Sequence, residues 1–328
     1  MSTSVTLAAL SPEFSRFVQA LIEGLSLAAI YALLALGFVI IYKSTNVLSF
    51  AQPAFLLFGA YAASYVSMTL GWGFWPGVII GIGAAAFLGA ASERAVIRPM
   101  IGKPAFAVAI LTIGLDIAIR VVTNQLIGTD VRAIGTPNPA GIGAPLLPWG
   151  SEPWRLGATD GIGGVVVQPR VVALVITTVI LVSGLVLFFQ RSRMGLAMRA
   201  AALDQEVTQA QGVSVGRVFS LAWILGGALA AVAGIMGATS FTGLTQSNFI
   251  VALKALPVIV VGGLDSIGGA ILGSLIIGMS EALTSTYQAQ YAPWLGGNFS
   301  QVVPWVVMLV VLLVRPYGLF GTEEVERV

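Results

Sequence analysis

The sequence has no cysteine and no histidine among its 328 residues, and only 9% of its residues are charged. Without cysteine there is no disulfide framework, no thiol nucleophile and no thiolate metal ligand. Without histidine the chain also lacks the commonest metal ligand and the usual proton shuttle near neutral pH. We therefore expect no metal, no cofactor and no catalytic residues.

The scarcity of charge excludes two further classes of protein. A net charge of +2 gives no strong field that would attract nucleic acid, so we expect no nucleic-acid partner. An ordinary soluble domain has about 25% charged residues, whereas this chain is 57% hydrophobic with a mean hydropathy of +0.94. A soluble fold this apolar would aggregate through its exposed patches. The composition indicates an integral membrane protein surrounded by the lipid bilayer.

Long apolar stretches dominate the chain, and a spanning helix needs about 20 such residues. They predict an all-α, polytopic transmembrane bundle that forms a single domain over residues 1–328, with about nine spans. Two interruptions stand out, one near 43–53 and one near 262–267, where the seventh and eighth candidates meet. The candidate spans are 18–42, 51–69, 75–92, 105–125, 171–189, 218–237, 249–262, 267–283 and 301–314. Ridges of glycine and alanine at helical spacing predict close helix packing.

The distribution of arginine and lysine predicts the orientation. Ten basic residues fall in segments that helix alternation puts on one side, and four fall on the other. The richer side includes the loops 93–104 and 190–217 and the C-terminal tail. We expect the N-terminus outside and the C-terminus in the cytoplasm. The segment 126–170, rich in glycine and proline, is then an extracytoplasmic excursion, either a plain connector or a docking surface for an external partner.

Ionisable residues inside predicted spans are few. Asp116 and Arg120 lie four apart on one helix face, so we predict an intramembrane ion pair that fixes helix packing. A direct functional role for this pair is the alternative. Lys254 is expected to extend its amine to the outer interface, and Glu281 ends the eighth span.

The first interruption is short and polar, and Pro53 suits the first turn of a new helix. Non-helical backbone at membrane depth is tolerated where protein or a water-filled cavity satisfies it. Asn46, Ser49 and Gln52 supply neutral polar groups there, and Asp265 and Ser266 supply polar groups at the second interruption. We predict that all five lie near a path for a neutral or zwitterionic solute. An ordinary interfacial turn is the alternative for the first interruption.

The loop 190–217 is predicted to contain a short helix over 194–211 that Gly212 ends in a left-handed conformation. An alanine face of Ala200, Ala201 and Ala210 is small enough for close packing against a soluble partner. Arg199 and Asp204 are polar members of the same helix. The alternative is a helix that lies on the lipid surface, which the basic flank of Arg191 and Arg193 would favour.

Four segments together resemble the permease subunit of branched-chain (hydrophobic) amino acid ABC transporters. They read GLSLAAIYALLALGFVIIYKSTNVLSFAQ from Gly24, ER…RP from Glu93, the loop Gly195–Arg217, and VGGLDSIGGA from Val261 followed by RPYGLFG from Arg315. The chain departs from the family pattern at Pro53, where glycine is usual.

The resemblance implies an importer with two cytoplasmic ABC ATPase subunits, a second homologous permease chain and an extracytoplasmic substrate-binding protein, in the bacterial plasma (inner) membrane. It assigns the loop helix to ATPase coupling through Arg199, Ala200, Asp204, Ala210 and Gly212. The chain itself has no phosphate-binding glycine loop, because Gly102-Lys103 is followed by Pro104. It is therefore expected to be a transport subunit and not an enzyme. A urea or short-amide importer permease and an ion-coupled secondary transporter are the alternatives.

Overall fold

The computed structural model describes residues 11–100, 103–128, 130–135, 153–156, 164–203, 205–240 and 243–321, which are almost entirely helical. They form twelve α-helices and one antiparallel two-stranded sheet. The helices are α1 Pro12–Thr45, α2 Gln52–Ser64, α3 Phe74–Ser92, α4 Ala105–Ile127, α5 Pro169–Arg191, α6 Arg193–Leu203, α7 Gln205–Ala210, α8 Val215–Ser240, α9 Phe249–Leu253, α10 Ala255–Gly262, α11 Ile267–Tyr291 and α12 Val303–Val314; the strands are β1 Trp154–Leu156 and β2 Val165–Val167.

Helix α1 is the centre of the bundle. Ser11 starts it by accepting a hydrogen bond from the Phe14 amide at 3.4 Å, and Pro12 occupies its first turn. Every residue from Ala28 to Ile41 is buried. A helix that is apolar on all sides is stable only when it is surrounded, and α1 is enclosed by α5, α8, α10 and α11.

The predicted small-residue ridges are confirmed as packing faces. A methyl group on Gly89 of α3 would lie 2.3 Å from the Trp223 carbonyl oxygen of α8, and one on Gly234 would lie 2.5 Å from the Leu56 carbonyl oxygen of α2. A methyl group on Gly273 of α11 would lie 2.5 Å from the Val258 carbonyl oxygen of α10. These backbones approach so closely that only glycine is accommodated.

Among the described residues, six helices are long and apolar enough to cross a membrane. They match six of the nine predicted spans, and α1 and α11 extend well beyond the predicted limits. The other three predicted spans are also helical, but 246–262 and 303–314 are shorter. The segment at 52–69 consists of α2 followed by a π-helical turn at Tyr65–Thr69. The number of spans therefore stays a prediction.

Most of the predicted excursion at 126–170 lies outside the described residues. Its described parts include the two short strands β1 and β2, with Trp154 paired to Val167. The Val166 amide donates to Gln19 Oε1 at 3.1 Å, which ties β2 to the first turns of α1. Arg132 forms an isolated bridge with Leu244. Whether this region is a connector or a docking surface stays untested.

Candidate functional site

The first predicted interruption lies between α1 and α2. Asn46 ends α1 in the left-handed conformation with φ 54°, and its amide donates to the Tyr42 carbonyl at 2.8 Å. Asparagine is among the residues that tolerate this conformation. The Phe50 amide donates to Thr112 Oγ1 at 2.9 Å, so the broken segment is held against α4. Pro53 lies in the first turn of α2, as predicted.

Ser49 and Gln52 point into the bundle. Ser49 is buried and its hydroxyl accepts from the Ala51 amide at 3.4 Å. Gln52 is completely buried beside Gly37 of α1 and Gly226 of α8, where a methyl group on either glycine would lie 3.1 Å from the Gln52 amide nitrogen. Within the described part of the chain, neither polar atom of the Gln52 side chain has a hydrogen-bond partner. An unpaired buried amide is costly, so a polar solute or water that reached this point would gain hydrogen bonds to Gln52.

The second interruption separates α10 from α11. Gly263 has φ 106°, and its amide donates to the Ile259 carbonyl at 2.8 Å. Ser266 caps α11 by accepting from the Gly269 amide at 3.0 Å. The C-terminal segment 315–321 completes the turn, because the amides of Leu319 and Phe320 donate to the free carbonyls of Val261 and Gly262 at 2.8 and 3.0 Å. The RPYGLFG sequence is thus a cap for the broken helix.

A cleft of about 650 Å³ joins the two interruptions at one end of the bundle. Lys43 Nζ donates to the Asp265 carbonyl at 3.1 Å across it. Of the five predicted path residues, Asn46 and Asp265 line this cleft, Ser49 and Gln52 are buried in the bundle, and Ser266 serves as the cap of α11. The lining residues are Tyr42, Lys43, Asn46, Arg199, Ala202, Leu203, Val260, Leu264, Asp265, Pro316, Tyr317 and Gly321.

The predicted loop helix is helical over its described residues, which are α6 and α7, and Asp204 lies outside the described residues. Gly212 has φ 81°, which confirms the left-handed ending. Arg199 lines the cleft that holds both interruptions, so this loop lies against the predicted path. Sequence reasoning assigned Arg199 to the partner contact and did not place it beside Asn46 and Asp265.

The prediction of one exposed alanine face is wrong. Ala201 is 1% exposed and packs into the hydrophobic core, Ala200 is half-buried, and Ala210 is exposed. Ala201 and the buried Met198 hold α6 against the bundle, so they are not available to a partner. The exposed apolar residues of this loop are instead Leu196, Leu203 and Val207, of which Leu203 is 89% exposed.

The expectation that Lys254 reaches the outer interface is also wrong. Lys254 lies at the kink between α9 and α10, is 6% exposed, and forms an ion pair with Glu281 of α11. Glu281, equally buried, also accepts from the Tyr31 hydroxyl of α1 at 2.7 Å. At 1.5 Å per residue, Tyr31 lies about 20 Å or more from either end of α1. A buried charged cluster therefore joins three helices at mid-depth.

Two further ion pairs hold the bundle. The predicted Asp116–Arg120 pair is confirmed at 2.6 Å, and the Arg120 guanidinium lies 4.6 Å from the centre of the Phe249 ring. Glu93 and Arg98 form a bidentate pair at 3.0 and 3.1 Å, and Arg98 also donates to the Gly216 carbonyl of α8. This second pair fixes the end of α3 to the start of α8, directly after the α6–α7 loop.

Apolar helices around a buried central helix, two interrupted segments that meet in one cleft, and a helical loop beside that cleft define a membrane transport subunit. The chain belongs to the family described as the permease component of the branched-chain amino acid transport system, whose profile matches residues 20–312.

Named relatives cover nearly the whole chain. It is 29% identical to the high-affinity branched-chain amino acid transport system permease protein BraD of Pseudomonas aeruginosa, over 97% of this chain and 100% of the relative. The identity and coverage are the same for LivH of Escherichia coli K12. A probable LivH of Methanocaldococcus jannaschii is 26% identical over 89% of this chain and 88% of the relative. No solved structure matches the chain significantly.

Proposed function

We propose that this chain is the channel-forming permease subunit of an ATP-driven ABC importer that carries branched-chain or other hydrophobic amino acids. The named relatives are permeases of that transport class. The observation that carries the proposal is the cleft in which Arg199 of α6 meets Asn46 and Asp265 of the two interruptions. A partner that moves α6 would therefore displace Arg199 relative to both broken segments at the same time.

The energy source in this proposal is a partner chain. Two cytoplasmic ATPase subunits would each bind one permease loop, with Leu196, Leu203 and Val207 as the apolar contact of α6 and α7. Exposed apolar side chains mark a contact with a protein or with the membrane, and this proposal assigns them to the ATPase. A second homologous permease chain and an extracytoplasmic binding protein complete the importer. The orientation has the N-terminus outside and the C-terminus in the cytoplasm.

The solute path runs from the buried Gln52 amide towards the cleft. Lys43 and Arg199 can attract a carboxylate, and Val260 and Leu264 provide apolar surface for a hydrophobic side chain. A small zwitterion with an apolar side chain uses both kinds of surface. Urea and short amides lack such a side chain, and this favours amino acids as the solute.

The test is uptake by proteoliposomes that contain this chain with the second permease and the ATPases of the proposed importer, supplied with the loaded binding protein. We expect ATP-dependent accumulation of leucine, with excess isoleucine or valine as competitors and excess urea without effect. Uptake driven by a proton or sodium gradient without ATP would overturn the proposal. Competition by urea but not by isoleucine would replace the solute and leave the importer mechanism in place.

Asn46 provides a residue-level test of the path. We expect Asn46→Leu to lower uptake by about tenfold or more while complex assembly is kept, because a bulky apolar side chain then enters the cleft. Asn46→Gly is the matched control, since glycine keeps the left-handed backbone and removes only the side chain. If both variants transport like the parent, Asn46 is not part of the path.

A further inference from the structure

A groove of about 340 Å³ opens between α3, α5 and α8, away from the cleft described above. Its walls are almost wholly apolar and include Val78, Ile82, Leu181 and Val232. Trp75 and Ile176 stand on its outer edge and are 53% and 45% exposed. The three helices are long and apolar enough to cross a membrane, so this opening is level with the hydrocarbon of the bilayer.

The groove has a defined polar end. Arg170 in the first turn of α5, Trp75 in the first turn of α3 and Thr239 in the last turn of α8 lie at that end. Tryptophan and arginine at one level of a bundle are typical of the membrane interface. From Arg170 to Leu181 the groove follows α5 for about 16 Å at 1.5 Å per residue. That distance is about half of a hydrocarbon core roughly 30 Å thick, so the groove traverses one leaflet.

Arg170 is the one charged residue that lines this groove, and it has no ion-pair partner among the described residues. Its Nε is buried and makes no hydrogen bond within the described chain. A half-buried guanidinium without a counter-ion is unfavourable, and a bidentate oxyanion is the ligand that its geometry suits best. The groove therefore suits a ligand that has an anionic group, which would bind Arg170, and an apolar chain, which would lie along the walls.

We propose that this groove is a binding site for an anionic phospholipid, with the headgroup phosphate on Arg170 and one acyl chain between α3, α5 and α8. The site is independent of the solute path and of the ATPase contact. Its occupant would fill the gap between α5 and the closely packed pair of α3 and α8. Bilayer composition would thereby affect how firmly α5 is held against α3 and α8.

The experiment uses the assembled complex, delipidated in detergent and analysed by native mass spectrometry with phosphatidylglycerol or phosphatidylcholine of identical chains. We expect the parent to retain phosphatidylglycerol about fivefold better, the preference expected of one basic side chain at a lipid surface. Arg170→Gln should reduce that preference to about one. Arg16→Gln is the matched control, because Arg16 is exposed on the first turns of α1 at the same end of the bundle and is not among the residues that line this groove.

Two further arms separate the halves of the proposal. Thr177→Trp should fill the groove and lower retention of both lipids, while the complex stays assembled. Inorganic phosphate should fail to raise the melting temperature that phosphatidylglycerol raises. Equal retention of both lipids by the parent, or unchanged selectivity in Arg170→Gln, would overturn the proposal. So would protection of Ile176→Cys from a maleimide after complete delipidation, because a protein would then occupy the groove.

Discussion

At the scale of single residues, the bundle buries charged groups that depend on one another for compensation. Lys254 and Glu281 are each less than a tenth exposed, and their pairing satisfies both groups together with the Tyr31 hydroxyl. Breaking a buried ion pair by removing one partner typically costs about 3–5 kcal/mol, because the remaining charge is left without compensation. Replacing both partners by neutral groups costs far less. The pair therefore joins the α9–α10 kink to α11 and α1 without by itself guaranteeing high stability.

This cluster gives the first prediction. Lys254→Met should lower the stability of the solubilised protein by about 3–5 kcal/mol, and Lys254→Met combined with Glu281→Gln should recover most of that loss. Thermal unfolding in detergent measures both variants, and Glu23→Gln on α1 is the control for loss of an acid elsewhere. If the double variant is no more stable than Lys254→Met, the charge pairing is not what holds these helices together. Uptake by a stable double variant then reports whether the charges also serve transport.

The residue scale also marks the limit of sequence reasoning. Asp116 and Arg120 were predicted as a pair because four residues on a helix bring side chains onto one face. Lys254 and Glu281 lie 27 positions apart, and Tyr31 and Glu281 lie 250 apart. No local pattern connects them, since their proximity is set by the packing of α1 and α10 against α11. For this reason the sequence analysis placed Lys254, which lies near the start of a predicted span, at the membrane interface.

At the scale of elements, the interruptions could be predicted because glycine, proline and asparagine impose local geometry. Asn46 and Gly263 adopt positive φ values and Pro53 lies in a first helical turn. The loop helix and its ending at Gly212 were predictable for the same reason. The burial of Ala201 was not, since alanine suits either side of a helix and only tertiary packing decides which side faces the bundle.

Gly212 gives the prediction at this scale. Among the described residues other than its two chain neighbours, no atom lies within 4 Å of the position where its Cβ would be, so we expect a substitution there to act through the backbone. A β-branched residue is strained at φ 81°, with a cost of about 1–3 kcal/mol. Gly212→Val should change the path of the chain from α7 to α8. Uptake and the stimulation of ATP hydrolysis by the loaded binding protein should fall on the order of tenfold.

Gly212→Asn is the matched control, because asparagine tolerates the left-handed conformation. It should keep most of the coupling while adding a side chain of comparable bulk. Membrane insertion is checked for both variants by the amount recovered after solubilisation. Normal coupling in Gly212→Val would remove the α6–α7 loop as the place where the ATPase acts.

At the scale of the whole molecule, the contacts sort the basic residues into two ends. Lys43 and Arg199 line the same cleft, Arg315 begins the segment that caps α10, and Arg98 binds the start of α8 after the α6–α7 loop. Arg16 and Arg170 lie in the first turns of α1 and α5, at the other end of those helices. The sequence analysis divided the basic residues between two sides of the membrane. These residues lie at two opposite ends of the helix bundle in the same grouping. The span count was less accessible, since 246–262 and 303–314 are shorter than a full crossing.

The last prediction concerns the orientation of these two ends. Basic residues are retained on the cytoplasmic side of membrane proteins, so the end with the cleft and the α6–α7 loop should face the cytoplasm. The chain has no native cysteine, so one introduced thiol is unique. Gln209 and Gly297 are both exposed and lie in connections at opposite ends of the bundle. In intact cells a membrane-impermeant maleimide should label Gly297→Cys, and it should label Gln209→Cys only after permeabilisation.

The reverse pattern would place the α6–α7 loop outside, where a cytoplasmic ATPase cannot reach it. Labelling of both cysteines in intact cells would put Gln209 and Gly297 on the same side of the membrane and would contradict the predicted orientation.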